Sequence, residues 1–300
     1  MNKQELLDRI QELTQPLSPI GIDHQTKLRK LDNIKCVAFD FYGTMFISDV
    51  GDIGIDESAQ TDSVAIFSES LRQTRFELTG KNAAERGKEL FEETIDSLLT
   101  AAHNDGIDHP EPDIRAVWWD VLTNLLEENQ ISGELSRETA EEFGVEFEFR
   151  INDIWPVPGL RELLNSLKEK GLELGVISNS QFYTPLAFEA FFDYSPEEFG
   201  FNPNLLVWSF KTGYKKPSRH FYNFFIDGAD KENLDPAEVL YVGNDIRKDI
   251  QPASELGLKT ALYVGDRRSI RHEEEELEKK VFKPDLVIDD LRQILDCLQL

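Results

Sequence analysis

Cysteine is almost absent from this sequence, which has only Cys36 and Cys297 among 300 residues. Two cysteines at opposite ends of a chain provide no disulfide framework of the kind that holds small secreted domains together. Cys36 opens an apolar run and is expected to be a small core residue. The fold must therefore rest on a hydrophobic core, for which a hydrophobic content of 40% is sufficient.

Positive charge and long apolar runs are also scarce. The chain has 32 Lys and Arg against 57 Asp and Glu, a formal net charge of −25. Such a surface repels nucleic acids and anionic membranes, so we expect neither as a partner, although a local pocket can still take a small anionic substrate. No run approaches the roughly 18 apolar residues of a membrane span, and the polar N-terminus lacks a signal core. We therefore expect a soluble, cytoplasmic protein.

Secondary-structure patterns predict an α/β protein interrupted by a helical block. Residues 1–33 are expected to form an N-terminal helix and linker, and 46–56 a hairpin or flap. Residues 55–149 have helical spacing with no strand pattern, whereas 34–54 and 150–300 are expected to form an α/β core. Strands are predicted at 35–40, 172–178, 205–208, 239–242, 260–264 and 286–288. Their alternation with helices implies a parallel sheet with a ligand at the carboxyl ends of its strands.

Polar residues follow several of these strands. The apolar run Val37–Phe39 ends at Asp40, with Gly43 three residues later, which predicts a carboxylate delivered to the edge of a sheet. The other candidates, in chain order, are Ser178, Asn179, Lys216, Asp245 and Asp249.

The chemistry of this set is consistent with attack of a carboxylate on phosphorus. Lys216 would neutralise the negative charge that Asp40 meets, while Ser178 and Asn179 would donate hydrogen bonds to the transferring oxygens. Asp245 and Asp249 would bring in Mg²⁺, a hard cation that prefers oxygen ligands.

Each residue also has a purely structural interpretation. Ser178 and Asn179 could cap the next helix, and Lys216 could be a surface lysine before a proline. Asp245 and Asp249 could favour a helix N-terminus. The order of the whole set at strand ends favours a site.

The ordered motifs Asp40-Phe-Tyr-Gly-Thr44, Val176-Ile-Ser-Asn-Ser180, Gly213-Tyr-Lys-Lys-Pro217 and Gly243-Asn-Asp245 with Asp249 resemble those of the haloacid dehalogenase (HAD) superfamily. The resemblance covers roughly residues 34–300. It implies a Rossmann-like core with an inserted helical cap of type one over 55–149.

The resemblance also implies roles for residues. Asp40 would form a covalent intermediate, while Ser178 and Lys216 would bind substrate together with Gly43 and Thr44 of the first motif. An acid of the fourth motif would bind Mg²⁺.

Two positions depart from the phosphatases of that superfamily. Tyr42 stands where they carry a second acid, and Asp-x-Tyr-Gly-Thr is similar to the first motif of the 2-haloacid dehalogenases, which need no metal. Asn244 stands where the fourth motif usually has its first acid, so Asp245 is expected to take the metal role. The expected metal set is Asp40, the backbone carbonyl of Tyr42, Asp245 and Asp249, with Asp249 either ligating the ion or lying behind its ligands.

The first motif favours a dehalogenase and the fourth motif favours a metal-dependent phosphatase. We give more weight to the fourth motif because three clustered acids would repel one another without a cation. A Mg²⁺-dependent phosphatase of a small phosphomonoester is thus the first hypothesis. A metal-free 2-haloacid dehalogenase is the second, with Arg72 or Arg75 as candidates to bind the substrate carboxylate. A catalytically weakened binding or regulatory protein is the third.

Overall fold

A central parallel sheet organises the protein. The computed structural model describes residues 2–22, 24–48, 63–270 and 283–299. Within them, six parallel strands pair in the order β11-β10-β9-β2-β7-β8. The strands are β1 Leu31–Asp32, β2 Cys36–Phe39, β3 Phe46–Ser48, β4 Glu77–Leu78, β5 Ile131–Ser132, β6 Ile154–Pro156, β7 Glu173–Ser178, β8 Leu206–Trp208, β9 Val239–Gly243, β10 Lys259–Tyr263, β11 Leu286–Ile288 and β12 Leu298–Gln299.

Helices cover both faces of this sheet. They are α1 Lys3–Leu13, α2 Ser63–Gln73, α3 Ala83–Asn104, α4 Ile114–Glu127, α5 Arg137–Ile151, α6 Leu160–Glu169, α7 Tyr183–Phe192, α8 Pro196–Phe199, α9 Ser209–Thr212, α10 Arg219–Lys231, α11 Gln251–Glu255 and α12 Gln293–Cys297. A π-helical turn, Ile246–Ile250, follows β9. Every residue of β2 and of β9 is buried, as expected for apolar strands with helices on both sides. The predicted α/β class is confirmed, and each predicted strand lies within one or two residues of an observed one.

The order of the sheet brings the predicted motifs together. β2 lies between β9 and β7, so Asp40, Ser178 and the turn after Gly243 sit at the carboxyl ends of three adjacent parallel strands. This is the edge at which α/β sheets bind ligands.

A block of four helices, α2 to α5, lies between β3 and β6 in the chain. Its core is aromatic: Trp118 packs edge-on against Phe143 and Phe147, with ring centroids 4.9 and 5.0 Å away. The block also contains the short antiparallel pair β4–β5, which its helical spacing did not predict. Two-residue strands are too short to produce an alternating pattern. The division of the chain into core and cap domains stays a prediction.

The N-terminal segment is packed against the body of the protein. Buried Leu6, Leu7 and Ile10 face inward from α1, and Arg9 forms an ion pair with Glu146 of α5. The side chain of Gln11 donates a hydrogen bond to the carbonyl of Ala190 in α7. The predicted N-terminal helix therefore joins two other helices of the fold.

Some predictions fall outside the described residues. Of the flap predicted over 46–56, the structure describes only β3, which pairs antiparallel with β6. The predicted domain boundary at 54–55 lies outside the described residues. No described helix is both long and apolar enough to cross a bilayer.

Candidate active site

Asp40 is the first residue after β2. Its backbone N–H donates to the carbonyl of Val242, which fixes it to the neighbouring strand, and its side chain is buried. Oδ1 lies 2.7 Å from Nζ of Lys216. Burial raises the pKa of Asp40 to about 6, although the ammonium of Lys216 opposes this rise. The ion pair with Lys216 thus offsets part of the cost of burying this carboxylate.

Lys216 reaches this position from the loop between α9 and α10. Its ammonium also lies 2.7 Å from Oδ1 of Asp249 and 3.2 Å from the hydroxyl of Tyr241. Burial works against the charged form, but the carboxylates of Asp249 and Asp40 raise the pKa of Lys216 above its usual value. The structure thus brings three predicted residues together: the ammonium of Lys216 contacts the carboxylates of both Asp40 and Asp249.

Asp249 uses both carboxylate oxygens in hydrogen bonds. Oδ1 is bound by Lys216 and lies 3.0 Å from the hydroxyl of Tyr241. Oδ2 accepts from the backbone amides of Asn244 and Asp245, at 3.0 and 2.9 Å. Asp249 therefore holds the turn after β9 against the lysine.

Asp245 occupies the start of the π-helical turn. One carboxylate oxygen accepts from the backbone amides of Arg247 and Lys248, at 2.7 and 3.0 Å. Burial, followed by the charge of Asp249, raises the pKa of Asp245 above its usual value. Asp245 therefore caps the start of this turn with one oxygen, as its helix-terminus interpretation predicted. Its second oxygen receives no hydrogen bond from the described residues.

Asn244 lies against the first motif. The hydroxyl of Thr44 donates to its side-chain oxygen at 3.3 Å, and its Nδ2 donates to the carbonyl of Ser269 at 2.6 Å. Gly43 adopts φ +78°, and a Cβ there would stand 2.8 Å from Nδ2 of Asn244. Glycine is therefore needed both for its backbone angle and for the close approach of Asn244.

Asn179 binds the backbone of the loop between α9 and α10, residues 213–218, which carries Lys216 and is called the lysine loop. Its side-chain oxygen accepts from the N–H of Lys216 at 2.7 Å, and its Nδ2 lies 3.4 Å from the carbonyl of the same residue. The neighbouring Ser178 is fully buried and donates to the carbonyl of Asn179. Neither side chain caps α7, whose N-cap is Phe182, so the helix-cap alternative is wrong.

Tyr42 points its hydroxyl at α7. The hydroxyl shares a hydrogen bond of 2.9 Å with Thr184, and the ring meets that of Phe41 edge-on. Burial, and then the charge of Glu148, raises the pKa of Tyr42 well above its usual value. The deprotonated form that could act as a base is therefore scarcer near neutrality than in a free tyrosine.

Two features of the site were not predicted. Tyr241 brings its hydroxyl within hydrogen-bond distance of Lys216, Asp249 and the carbonyl of Ile177. A polar residue in the middle of an otherwise apolar strand was the available signal. The second feature is the chain segment between α3 and α4, which contacts the lysine loop and has no sequence signature.

The family model for haloacid dehalogenase-like hydrolases matches residues 34–257. The chain belongs to this family. It is 28% identical over 152 residues to a glyceraldehyde 3-phosphate phosphatase of Methanocaldococcus jannaschii, a match that covers 48% of this chain and 57% of that protein. It is 26% identical over 142 residues to a ribulose-1,5-bisphosphate 5-phosphatase of Halopiger xanaduensis, covering 47% and 55%. The chain thus spans little more than half the length of these curated relatives.

The fold of this HAD-like hydrolase is similar to that of a 2-haloacid dehalogenase from Pseudomonas syringae pv. tomato DC3000. The TM-score is 0.54 at 19% identity, and the match covers 88% of this chain and 97% of that one. Such a likeness supports the Rossmann-like fold, which confirms the predicted class.

The oxygen atoms around Asp40 suit a hard cation. No group of three or more His, Cys, Asp or Glu side chains among the described residues is arranged to hold a metal. Mg²⁺, however, is commonly held by one or two carboxylates, water and a substrate phosphate. Among the described residues, the buried acids at this edge are Asp40, Asp245 and Asp249, and the one buried lysine is Lys216, which contacts Asp40 and Asp249. The donor set and the excess negative charge therefore fit a divalent cation in this HAD-like hydrolase.

Proposed function

We propose that this HAD-like hydrolase is a Mg²⁺-dependent phosphatase of a small phosphomonoester with Asp40 as its covalent nucleophile. The observation that carries the proposal is the buried Asp40 carboxylate held 2.7 Å from the Lys216 ammonium at the carboxyl edge of the sheet. The curated relatives named above are phosphatases whose names specify phosphorylated sugars, which favours a small phosphorylated substrate.

The proposed reaction has two steps. A carboxylate oxygen of Asp40 attacks phosphorus, the bond from phosphorus to the ester oxygen breaks, and an aspartyl phosphate forms as the alcohol leaves. Water then attacks this intermediate, releasing inorganic phosphate and restoring Asp40. Lys216 offsets the negative charge that accumulates as two anionic groups meet.

The residues proposed to hold Mg²⁺ are Asp40, the backbone carbonyl of Tyr42 and Asp245. When bound, the ion would polarise the phosphoryl oxygens and offset their charge. Asp249 was also predicted as a ligand, but its oxygens are engaged by four hydrogen-bond donors. We therefore assign Asp249 to holding Lys216 and the turn after β9.

Tyr42 limits the proposed phosphatase. The departing alkoxide needs a proton, and general acid catalysis typically contributes about 10²–10⁴-fold in rate. The pKa of Tyr42 is raised by burial, so its hydroxyl gives up a proton reluctantly. We expect slow turnover of esters with poor leaving groups and faster turnover of aryl phosphates, whose leaving groups need less protonation.

The second candidate is a 2-haloacid dehalogenase, which Tyr42 favours because a halide leaves without a proton. Such an enzyme needs a cation for the substrate carboxylate. Arg75 instead pairs with the buried Glu142 at 3.1 Å, and Arg72 lies 3.5 Å from Glu69. The third candidate is a binding or regulatory protein with a weakened site.

One set of assays separates these three. The protein is incubated with p-nitrophenyl phosphate and Mg²⁺, and separately with 2-chloropropionate with and without EDTA, beside an Asp40→Asn control. Phosphate release that requires both Mg²⁺ and Asp40 supports the phosphatase. Halide release that is insensitive to EDTA supports the dehalogenase instead. Silence in both assays, with no metal-dependent binding of beryllium fluoride, leaves the regulatory protein.

A further inference from the structure

The segment 108–114, which leads from the loop after α3 into the first residue of α4, forms a backbone bridge to the lysine loop, residues 213–218. The N–H of Glu111 donates to the carbonyl of Gly213 at 3.0 Å, and the N–H of Lys215 donates to the carbonyl of His109 at 2.9 Å. These two bonds form an antiparallel bridge in which Pro110 faces Tyr214. The bridge ends one residue before Lys216.

Side chains extend this bridge at both ends. The hydroxyl of Ser218, a buried residue two positions after Lys216, donates to Oδ1 of Asp108 at 2.7 Å. At the other end, the buried side chain of Gln181 donates to Glu111 and to the carbonyl of Pro112, both at 3.0 Å. Its oxygen accepts from the N–H of Ile114 at 2.9 Å. The segment 108–114 is therefore tied to the loop that follows Ser178 and to the loop that carries Lys216.

The lysine loop is consequently held from two sides. Asn179 binds the backbone of Lys216 itself. The segment 108–114 binds Lys215, directly before it, and Ser218, two residues after it. The flexible four-carbon side chain of Lys216 has a limited reach, and its Nζ must meet both Asp40 and Asp249 at 2.7 Å. Fixing the backbone within that reach favours the side-chain conformations that meet both acids.

We propose that the segment 108–114 is a positioning element for Lys216, through which the helical block contributes to the chemistry of the sheet edge. The inference rests on the proposed function for the role of Lys216 in catalysis, but the placement of the lysine can be measured separately. Asp108, Glu111 and Gln181 are then positioning residues that do not touch the substrate.

The test uses Asp108→Ala, Asp108→Asn and Gln181→Met in the full chain. Asparagine keeps an oxygen that can accept from Ser218, whereas alanine does not. Methionine preserves the length of Gln181 but removes its three hydrogen bonds. Three quantities are measured. The first is the rate at which an amine-acylating reagent modifies Lys216, read by mass spectrometry against the exposed Lys211. The others are kcat and KM for p-nitrophenyl phosphate.

Asp108→Ala is expected to raise the acylation rate of Lys216 and to lower kcat, each by about three- to tenfold, the range that one hydrogen bond supports. The KM of Asp108→Ala should change by less than about twofold. Asp108→Asn should keep wild-type values of the acylation rate and kcat. Gln181→Met should change both quantities by more than Asp108→Ala does. Unchanged acylation in both Asp108→Ala and Gln181→Met overturns the proposal. So does faster acylation with an unchanged kcat, which would mean a merely structural contact.

Failure of the proposed function would look different. If the wild-type protein does not release phosphate, the phosphatase is excluded, while the acylation rates still decide whether the segment holds Lys216. Lys216 acylation that is already as fast as that of Lys211 in the wild type would also overturn the positioning proposal.

Discussion

Asp249 binds the ammonium of Lys216 through one carboxylate oxygen at 2.7 Å, and its other oxygen accepts two backbone amides of the turn after β9. One acid therefore joins the lysine loop to the turn that carries Asp245. Asp40 binds the same ammonium, so the site is an acid–lysine–acid arrangement buried at the sheet edge.

Removing the ammonium should destabilise the protein strongly. Lys216→Met leaves the carboxylates of Asp40 and Asp249 buried without their shared cation, and losing one partner of a buried pair costs about 3–5 kcal/mol. Urea unfolding followed by circular dichroism measures the change. The matched control is the neighbouring Lys215→Met, expected to stay within about 0.5 kcal/mol of wild type. Equal stabilities for the two variants would show that the arrangement contributes nothing to folding.

Replacing Tyr42 by an acid should speed phosphate release. Tyr42→Asp supplies the missing proton donor and base, and we expect turnover to rise at least about tenfold, since such assistance is commonly worth 10²–10⁴-fold. The same change empties a buried ring site and should cost roughly 3–5 kcal/mol of stability, so the assay belongs well below the melting temperature.

Tyr42→Phe is the control for this experiment. It keeps the ring against Phe41 and removes only the hydrogen bond to Thr184, so its turnover should stay close to that of the wild type. A Tyr42→Asp variant that folds and is no faster than wild type would mean that the missing acid does not limit the rate.

Gly43 and Gly171 offer a comparison of backbone strain with steric contact. Both have nearly the same backbone angle, φ +78° and +77°, but a Cβ at Gly43 would lie 2.8 Å from Asn244 and one at Gly171 would meet nothing within 4 Å. An alanine in the left-handed region costs about 1–2 kcal/mol. Gly171→Ala should therefore lose about 1–2 kcal/mol of stability and keep its activity. Gly43→Ala should lose more stability and most of its activity, because the side chains of Asn244 and Ser269 must shift. Equal effects of the two substitutions would contradict the close fit of the first and fourth motifs.

Replacing Glu148 should stabilise the protein at high pH and leave its stability unchanged at low pH. Burial raises the pKa of Glu148, against hydrogen bonds from Tyr183 and Asn152 that lower the pKa. Between about pH 4.3, where the unfolded residue titrates, and the higher folded pKa, the folded state binds more protons, so this residue weakens folding as pH rises. Glu148→Gln should therefore melt higher than wild type at pH 8 and equally at pH 4. Melting curves at both values test this, with the exposed Glu169→Gln as a control; a difference that is the same at both pH values would contradict it.

Much of the fold was predictable because it depends on local pattern. Apolar runs such as Val37–Phe39 predict buried strands, and their alternation with helices predicts a parallel sheet whose carboxyl ends meet at one edge. The residue types at those ends, above all Asp40 and Lys216, predict a polar site there. The pair β4–β5 was missed because two residues carry too little periodicity.

The sequence by itself determined which strands form, which acid and which lysine stand at their ends, and that Tyr42 replaces a second acid. Only the tertiary structure decided three contacts. Asn179 binds the Lys216 backbone, both carboxylate oxygens of Asp249 accept hydrogen bonds, and the segment 108–114 binds the lysine loop. Hydrogen-bond partners far apart in the chain depend on loop paths and helix packing, and neither leaves a periodic signal in the sequence.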